Sequence, residues 1–281
     1  MRTATAKRKN IPAAIMLHLV LAAGACLMAL PFVWMVLSAL KDLSQVFIVP
    51  PKWIPDPFVW SNFKESLTAL PFGQAYLNSL YINVIVVAAQ LITCSMAAYA
   101  FAKIRFPFRE PLFVLFLATM MVPGQVTIIP LYLIMKMIGW LDTHLALIVP
   151  AALLNAFGVF LLRQFFKGIP KDMEEAAIID GAGRWTIYTR IMLPLVKPAL
   201  SALAIFTFLG MWNSFFYPLI FLNSPETFTV PMMLNLYRGM YATDWTLMMA
   251  GASIALLPVL LVYLIGQRYI IEGVTLSGIK G

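Results

Sequence analysis

The side chains that could do chemistry in this sequence are few and scattered. Cys26 and Cys94 fall in long apolar runs, with no second ligand pair at metal spacing. There is no Gly-x-x-x-x-Gly-Lys-Ser/Thr loop, so the chain is not expected to bind ATP itself. Gly181-Ala182-Gly183 lacks both the third glycine and the preceding strand of a dinucleotide site. His18 sits inside an apolar run and reads as a neutral, hydrogen-bonded side chain. His144 reads as a solvated loop residue. What remains is a set of four carboxylates within nine positions, Asp172, Glu174, Glu175 and Asp180. They lie in the one long polar interruption of the second half of the chain, Lys167 to Pro198. This grouping suits a mechanical contact better than a reaction.

The local signals in that interruption are specific. Proline suits a first helical turn and carboxylates favour a helix N-terminus, so Pro170 and Asp172 predict a helix start. Met173, Ala176, Ala177 and Asp180 follow at i, i+3, i+4 and i+7, on one face. The small alanines are expected on an exposed face, where another surface can approach closely. Gly181 is placed to end the helix in the left-handed conformation. A second helix is expected from about Arg184 to Met192, stopped before Pro194.

The elements around this segment must be membrane spans. Apolar residues make up 62% of the 281 and charged residues only 11%, which fits a multi-span membrane protein and no ordinary soluble domain. Six apolar stretches approach or exceed the roughly 20 residues needed to cross a bilayer. They run 11–40, 79–102, 112–135, 145–162, 199–222 and 245–266. Nothing alternates as an outer-membrane strand would. With the N-terminus in the cytoplasm, fifteen of the 20 Lys and Arg fall on inside segments, while the twelve acids divide evenly. The positive-inside rule then places both termini and the 167–198 loop in the cytoplasm. The bases are spread over several loops, which does not supply the basic face that nucleic acid requires. No ionisable residue stands clear of a span end, which disfavours an ion-driven carrier.

Other stretches carry weaker signals. Residues 1–10 read as a basic cytoplasmic tail before an uncleaved first span. The Pro- and Trp-rich segment from Lys41 to Asn78 reads as irregular structure at the outer surface, either a docking face or an interfacial belt. Pro123, Gly124, Gln125 and Pro130 predict a kinked or broken third span.

Glu175-Ala176-Ala177, then three residues, Gly181, nine residues and Ile191-x-Leu193-Pro194 resemble the EAA signature of ABC importer permeases. Pro31-Phe32, Ser38-x-x-Lys41, Asn78-Ser79, Ala97-Ala98-Tyr99-Ala100, Trp212-Asn213 and the tail Gln267-Arg268-Tyr269-x-x-Glu272-Gly273-x-Thr275 resemble the maltose-type, MalG-like sugar branch. The similarity covers roughly Ile11 to Gly281, with a small departure at Leu276-Ser277-Gly278. The resemblance implies an all-α membrane protein of about six transmembrane helices with a MetI-like fold, in a bacterial-type cell membrane. Residues 11–281 would form the permease domain and 167–198 its coupling loop. It further implies a second permease subunit (MalF-like), two separate ATPase subunits carrying ATP and Mg, and an extracytoplasmic sugar-binding protein. The chain itself would bind no cofactor and no metal, and would not be an enzyme. Glu174, Glu175, Ala176, Ala177, Asp180, Gly181 and Ala182 would form the ATPase contact, and the C-terminus near Lys280-Gly281 would reach the same subunits. A sugar needs amide hydrogen bonds and an aromatic face, so Gln125, Asn155, Trp212, Asn213 and Tyr217 are candidates for the solute path. Ordinary interhelical packing is the competing role for each. A permease for an amino acid or peptide would share the loop, and an ion-coupled carrier would work without any ATPase.

Overall fold

A computed structural model describes residues 11–153, 155–239 and 243–278. The tail at 1–10 and the pair Lys280-Gly281 lie outside the described residues. Those that are described form helices, turns and loops, with no strand among them. The chain divides into two compact units, Met1–Thr68 with Tyr237–Ile254, and Ala69–Leu236 with Ala255–Gly281.

In the first unit, α1 (Ile11–Ala39) is exposed along its apolar length, as a lipid-facing helix should be. The His18 ring bonds the Ala14 carbonyl one turn back, at 2.6 Å. Asn62, at the start of α2 (Ser61–Thr68), donates to the carbonyls of Ala39 and Lys41 at 2.9 and 2.8 Å. These bonds satisfy carbonyls that the helix end leaves without partners. The Lys41 ammonium is buried 3.9 Å above the Trp34 ring, and Trp53 packs edge-on against that ring.

The second unit is organised by α3 (Phe72–Lys103). It begins seven residues earlier than the expected start at Ser79, because Phe72, Ala75 and Asn78 lie on its buried side and extend the packed face. Beside it run α4 (Arg109–Ala118), α5 (Ile128–Met137), α6 (Leu145–Leu153) and α7 (Ala156–Gly168). The loop follows, with α8 (Asp172–Ile179), α9 (Arg184–Thr186), a π-helical turn at Ile187–Met192 and α10 (Leu193–Leu195). Then come α11 (Lys197–Trp212), α12 (Phe216–Phe221), α13 (Val230–Leu236) and α14 (Trp245–Gly278), the last passing from one unit to the other. α3 packs against α6, α7 and α11. Gly158 permits the closest approach: a Cβ there would lie 2.9 Å from the Cys94 sulfur and 3.0 Å from Leu203.

Among the described residues, four helices are long and apolar enough to cross a membrane, and a fifth counts if Arg184–Leu195 and Lys197–Trp212, bent by 76°, are one span. The expected third span is not a single helix. Pro123 and Gly124 interrupt it, and a turn closed by Val126 N–H to the Pro123 carbonyl (2.9 Å) separates α4 from α5. The described residues of the fourth span form α6 and α7, which together are long enough to cross a membrane, and the fifth stops at Trp212. The second loop helix does not stop before Pro194. The helix runs on from the π turn to Leu195, with Pro194 in its last turn.

Candidate functional site

The loop is set on a rigid base. α8 has Asp172, Glu174 and Glu175 in its first turn, where the helix dipole favours negative charge. At its other end Gly181 adopts φ +78°, and two bonds close the helix: Gly181 N–H to the Ile178 carbonyl (3.0 Å) and Ala182 N–H to the Ala177 carbonyl (2.9 Å). This is the Schellman arrangement, and it explains why glycine stands at 181. Asp180 lies at the C-terminal end of α8, where the dipole disfavours a carboxylate, and it makes no ion pair among the described residues.

One expectation about the alanines is corrected. Ala176 is exposed, but Ala177 is buried in the core cluster beneath the loop. The outward face instead presents Met173, Ile178, Ile179 and Trp185, with Ile179 84% exposed. Of these the sequence pattern singles out only Met173, on the face it shares with Ala176, Ala177 and Asp180.

Beneath α8 the groups are interlocked. Trp185 packs on Tyr188, Tyr188 on Tyr99, and Tyr99 edge-on against Phe166. The Tyr188 hydroxyl and Ser95 Oγ share a bond of 2.7 Å, and the Lys103 ammonium donates to the Ile169 carbonyl at 2.8 Å. Arg163 is 3% exposed and lies within α7, where no buried charge was expected. Its guanidinium donates to both Glu110 oxygens at 2.7 Å and to the Phe101 carbonyl at 3.1 Å, and it covers the Phe113 ring at 3.8 Å. The bonds from Arg163 hold the Glu110 carboxyl below its ordinary pKa. The Tyr99 hydroxyl is the exception, buried with no hydrogen-bond partner, although the Glu174 carboxylate lies nearby.

Away from the loop, the second unit holds a partly open cavity of about 680 Å³ between α3, α5, α6 and α12. That size is usual for small-ligand sites. Of the five candidate path residues, Tyr217 alone lines it. Tyr217 stacks on Phe221, and its hydroxyl packs so close to Gly124 that a Cβ there would clash. Asn155 caps α7 by accepting from Gly158 N–H at 2.8 Å, and its amide donates to Gln90. Gln90 in turn accepts from Thr207 at 2.7 Å and donates to the Ala151 carbonyl at 2.7 Å, linking α6 to the cap of α7. Trp212 is buried, stacked on Phe208, with its indole N–H on the Ala255 carbonyl at 3.1 Å. Asn213 is exposed and bonds the Leu209 carbonyl one turn back, and Gln125 is exposed on the break in the third span. The cavity adds residues the sequence reading passed over, Ser79, Asn83, Ser214 and Thr229. The spacing of Ser79 and Asn83, one turn apart in an apolar span, was the available signal.

The far rim of the same unit is tied by Asp142 and His144. Asp142 accepts from the Asn223 and Ser224 N–H groups at 2.8 and 2.9 Å, and from the hydroxyls of Ser224 and Thr227. The Ser224 hydroxyl and these amides hold its pKa down at about 2. His144 is not simply solvated. One ring nitrogen meets the Thr227 carbonyl at 2.7 Å, so it carries the proton, and the other accepts from Tyr81.

Apolar helices long enough to span a membrane, an interrupted third span, a capped acidic loop helix and a partly open cavity fit a membrane transport component. The chain belongs to the family of binding-protein-dependent transport system inner membrane components, whose model matches residues 90–275. It is similar to the arabinooligosaccharides transport system permease protein AraQ of Halalkalibacterium halodurans, 34% identical over 226 residues, covering 80% of this chain and 79% of that one. It is also similar to the lactose transport system permease protein LacG of Rhizobium radiobacter, 31% identical over 269 residues, covering 96% and 97%. Its fold is that of a chain in a bacterial ABC transporter involved in the import of the acidic polysaccharide alginate, with TM-score 0.79, 24% identity and coverage of 95% and 99%.

Proposed function

We propose that this chain is half of the translocation pathway of a sugar importer, driven by ATPase subunits that it does not itself contain. The observation that carries the reading is the loop. α8 offers exposed Ile178 and Ile179 and an unpaired Asp180 at its end, α9 adds exposed Trp185, and the base beneath them has nearly all its polar groups paired. A rigid knob with an apolar tip and free acids suits a cleft that has apolar walls and basic groups. ATP and Mg would be held by that partner. Closure of the ATPases would pull on α8, and the aromatic stack under it would carry the displacement into α3 and α7. A second permease subunit would complete the pathway, and an extracytoplasmic binding protein would deliver the solute. The loop and both termini would face the cytoplasm, as the charge distribution requires.

The sugar assignment draws on the relatives, which are named for arabinooligosaccharides and lactose. The test is uptake of radiolabelled lactose and arabinotriose by the complex reconstituted with its ATPase and binding protein. Uptake should require ATP. Gly181→Asp forces a side chain into the left-handed turn and adds charge at the wrong end of α8. It should insert normally in the membrane and lose ATP-driven uptake at least tenfold. Uptake at the wild-type rate would remove the coupling assignment.

A further inference from the structure

Two of the residues that line the cavity carry a buried polar atom that the protein leaves unsatisfied. Asn83 is 1% exposed, and its amide nitrogen donates to the Ser79 carbonyl at 2.9 Å. That carbonyl can only accept, so the amide orientation is fixed and Oδ1 is the free atom. Oδ1 has no hydrogen-bond partner. Thr229 is 6% exposed, and its Oγ1 is equally without one. Both residues line the same cavity. Leaving a buried polar atom unpaired is costly, and native proteins rarely do so except where a ligand or water completes the bond.

The lining says what kind of ligand would do this. Asn83 Oδ1 accepts only, so the occupant must bring a donor, which excludes hydrocarbon chains and fully ionised phosphate or carboxylate groups. The cavity is lined by no acidic and no basic side chain, so nothing there would compensate a cation or an anion. Ser79, Ser214, Thr127 and Tyr217 supply further hydroxyls, and Tyr217 stacked on Phe221 supplies a flat apolar wall. A neutral molecule rich in hydroxyls and carrying an apolar ring face matches every one of these features.

We infer that this cavity is a solute subsite on the subunit itself, taking a neutral sugar with a hydroxyl donated to Asn83 and a second paired with Thr229. The inference rests on the sugar-importer reading and deepens it. It assigns Asn83 and Thr229 as specificity-determining contacts, in place of Asn155 and Trp212, whose polar atoms are already used.

The experiment is equilibrium dialysis of the purified permease–ATPase assembly, without its binding protein, against whichever of radiolabelled lactose and arabinotriose the wild type accumulates. Thr229→Val keeps the shape and removes the hydroxyl, and Asn83→Ala removes the acceptor. Each should weaken sugar binding at least fivefold in assemblies that elute as the wild type does. If Asn83→Ala does not assemble, the isosteric Thr229→Val decides alone. Wild-type affinity in the assembled variants overturns the subsite while leaving the permease reading intact. So does a wild type that transports the sugar but binds none without its binding protein, because the buried groups then hold water only. If the reconstituted wild type accumulates neither sugar, the sugar reading itself falls, and the subsite with it.

Discussion

The loop end and the cavity of the second unit are built on opposite principles. Beneath α8 almost every buried polar group has a permanent partner: Arg163 with Glu110, Ser95 with Tyr188, Lys103 with Ile169. Around the cavity, Asn83 and Thr229 keep polar atoms that have none. Paired groups resist displacement and so transmit it. Unpaired groups are poorly suited to holding a shape and well suited to a guest that comes and goes. The difference teaches that stiffness and receptivity are placed apart in one helix bundle. On α3, Asn83 and Lys103 are separated by about 30 Å at the ordinary helical rise.

The comparison breaks most severely at Arg163. Arg163→Ala strips Glu110 of its buried counter-ion and leaves it only Arg109, frees the Phe101 carbonyl and uncovers Phe113. The thermal midpoint of the purified assembly should fall further than for any other change named here, and ATP-driven uptake should be lost while sugar still binds. An unchanged midpoint would show that the loop base is not the stiff element described. Next is Gly158→Val, which pushes carbon atoms into Cys94 and Leu203. Overpacking of this kind costs about 1–3 kcal/mol, readable as a lowered unfolding midpoint.

A sharper test sets two hydroxyl deletions side by side. Ser95→Ala removes a made bond and should destabilise by about 1 kcal/mol, whereas Thr229→Val removes an unmade one and should be neutral or slightly stabilising. Equal losses in thermal unfolding would erase the distinction between the two regions. The smallest effect is at the rim. The Asp142 carboxyl is lowered from 3.8 to about 2, so its stabilising bonds are fully present above pH 4 and are lost as pH falls through 2. Asp142→Asn should flatten that part of the stability–pH curve. A curve identical to the wild type's between pH 4 and 2 would assign the acid sensitivity elsewhere.

The loop was legible in the sequence because its information is local. Helix start, carboxylates, glycine stop and signature spacing all fall between Pro170 and Pro194, and the structure places the helix and its left-handed glycine where those signals put them. The break at Pro123 was legible for the same reason. The cap that Asn155 gives α7 was not, since Asn155 sits in an apolar run and its amide is held by Gln90, 65 positions away. The cavity was the least legible part. Asn83, Tyr217 and Thr229 meet only through packing of α3, α12 and the turn before α13, and nothing in their neighbours announces it. Asn155 and Trp212 looked available because an amide and an indole carry no label saying whether their hydrogen bonds are already made.

α3 contains neither glycine nor proline after Gly73, so nothing along it can act as a hinge. Asn83 and the Lys103 anchor of the loop therefore ride on one unbroken rod. Pivoting that rod by about 10° would swing one end some 5 Å past the other over its roughly 30 Å span. A pull at the acidic loop and a change of grip at Asn83 would then be the same event, felt at two addresses.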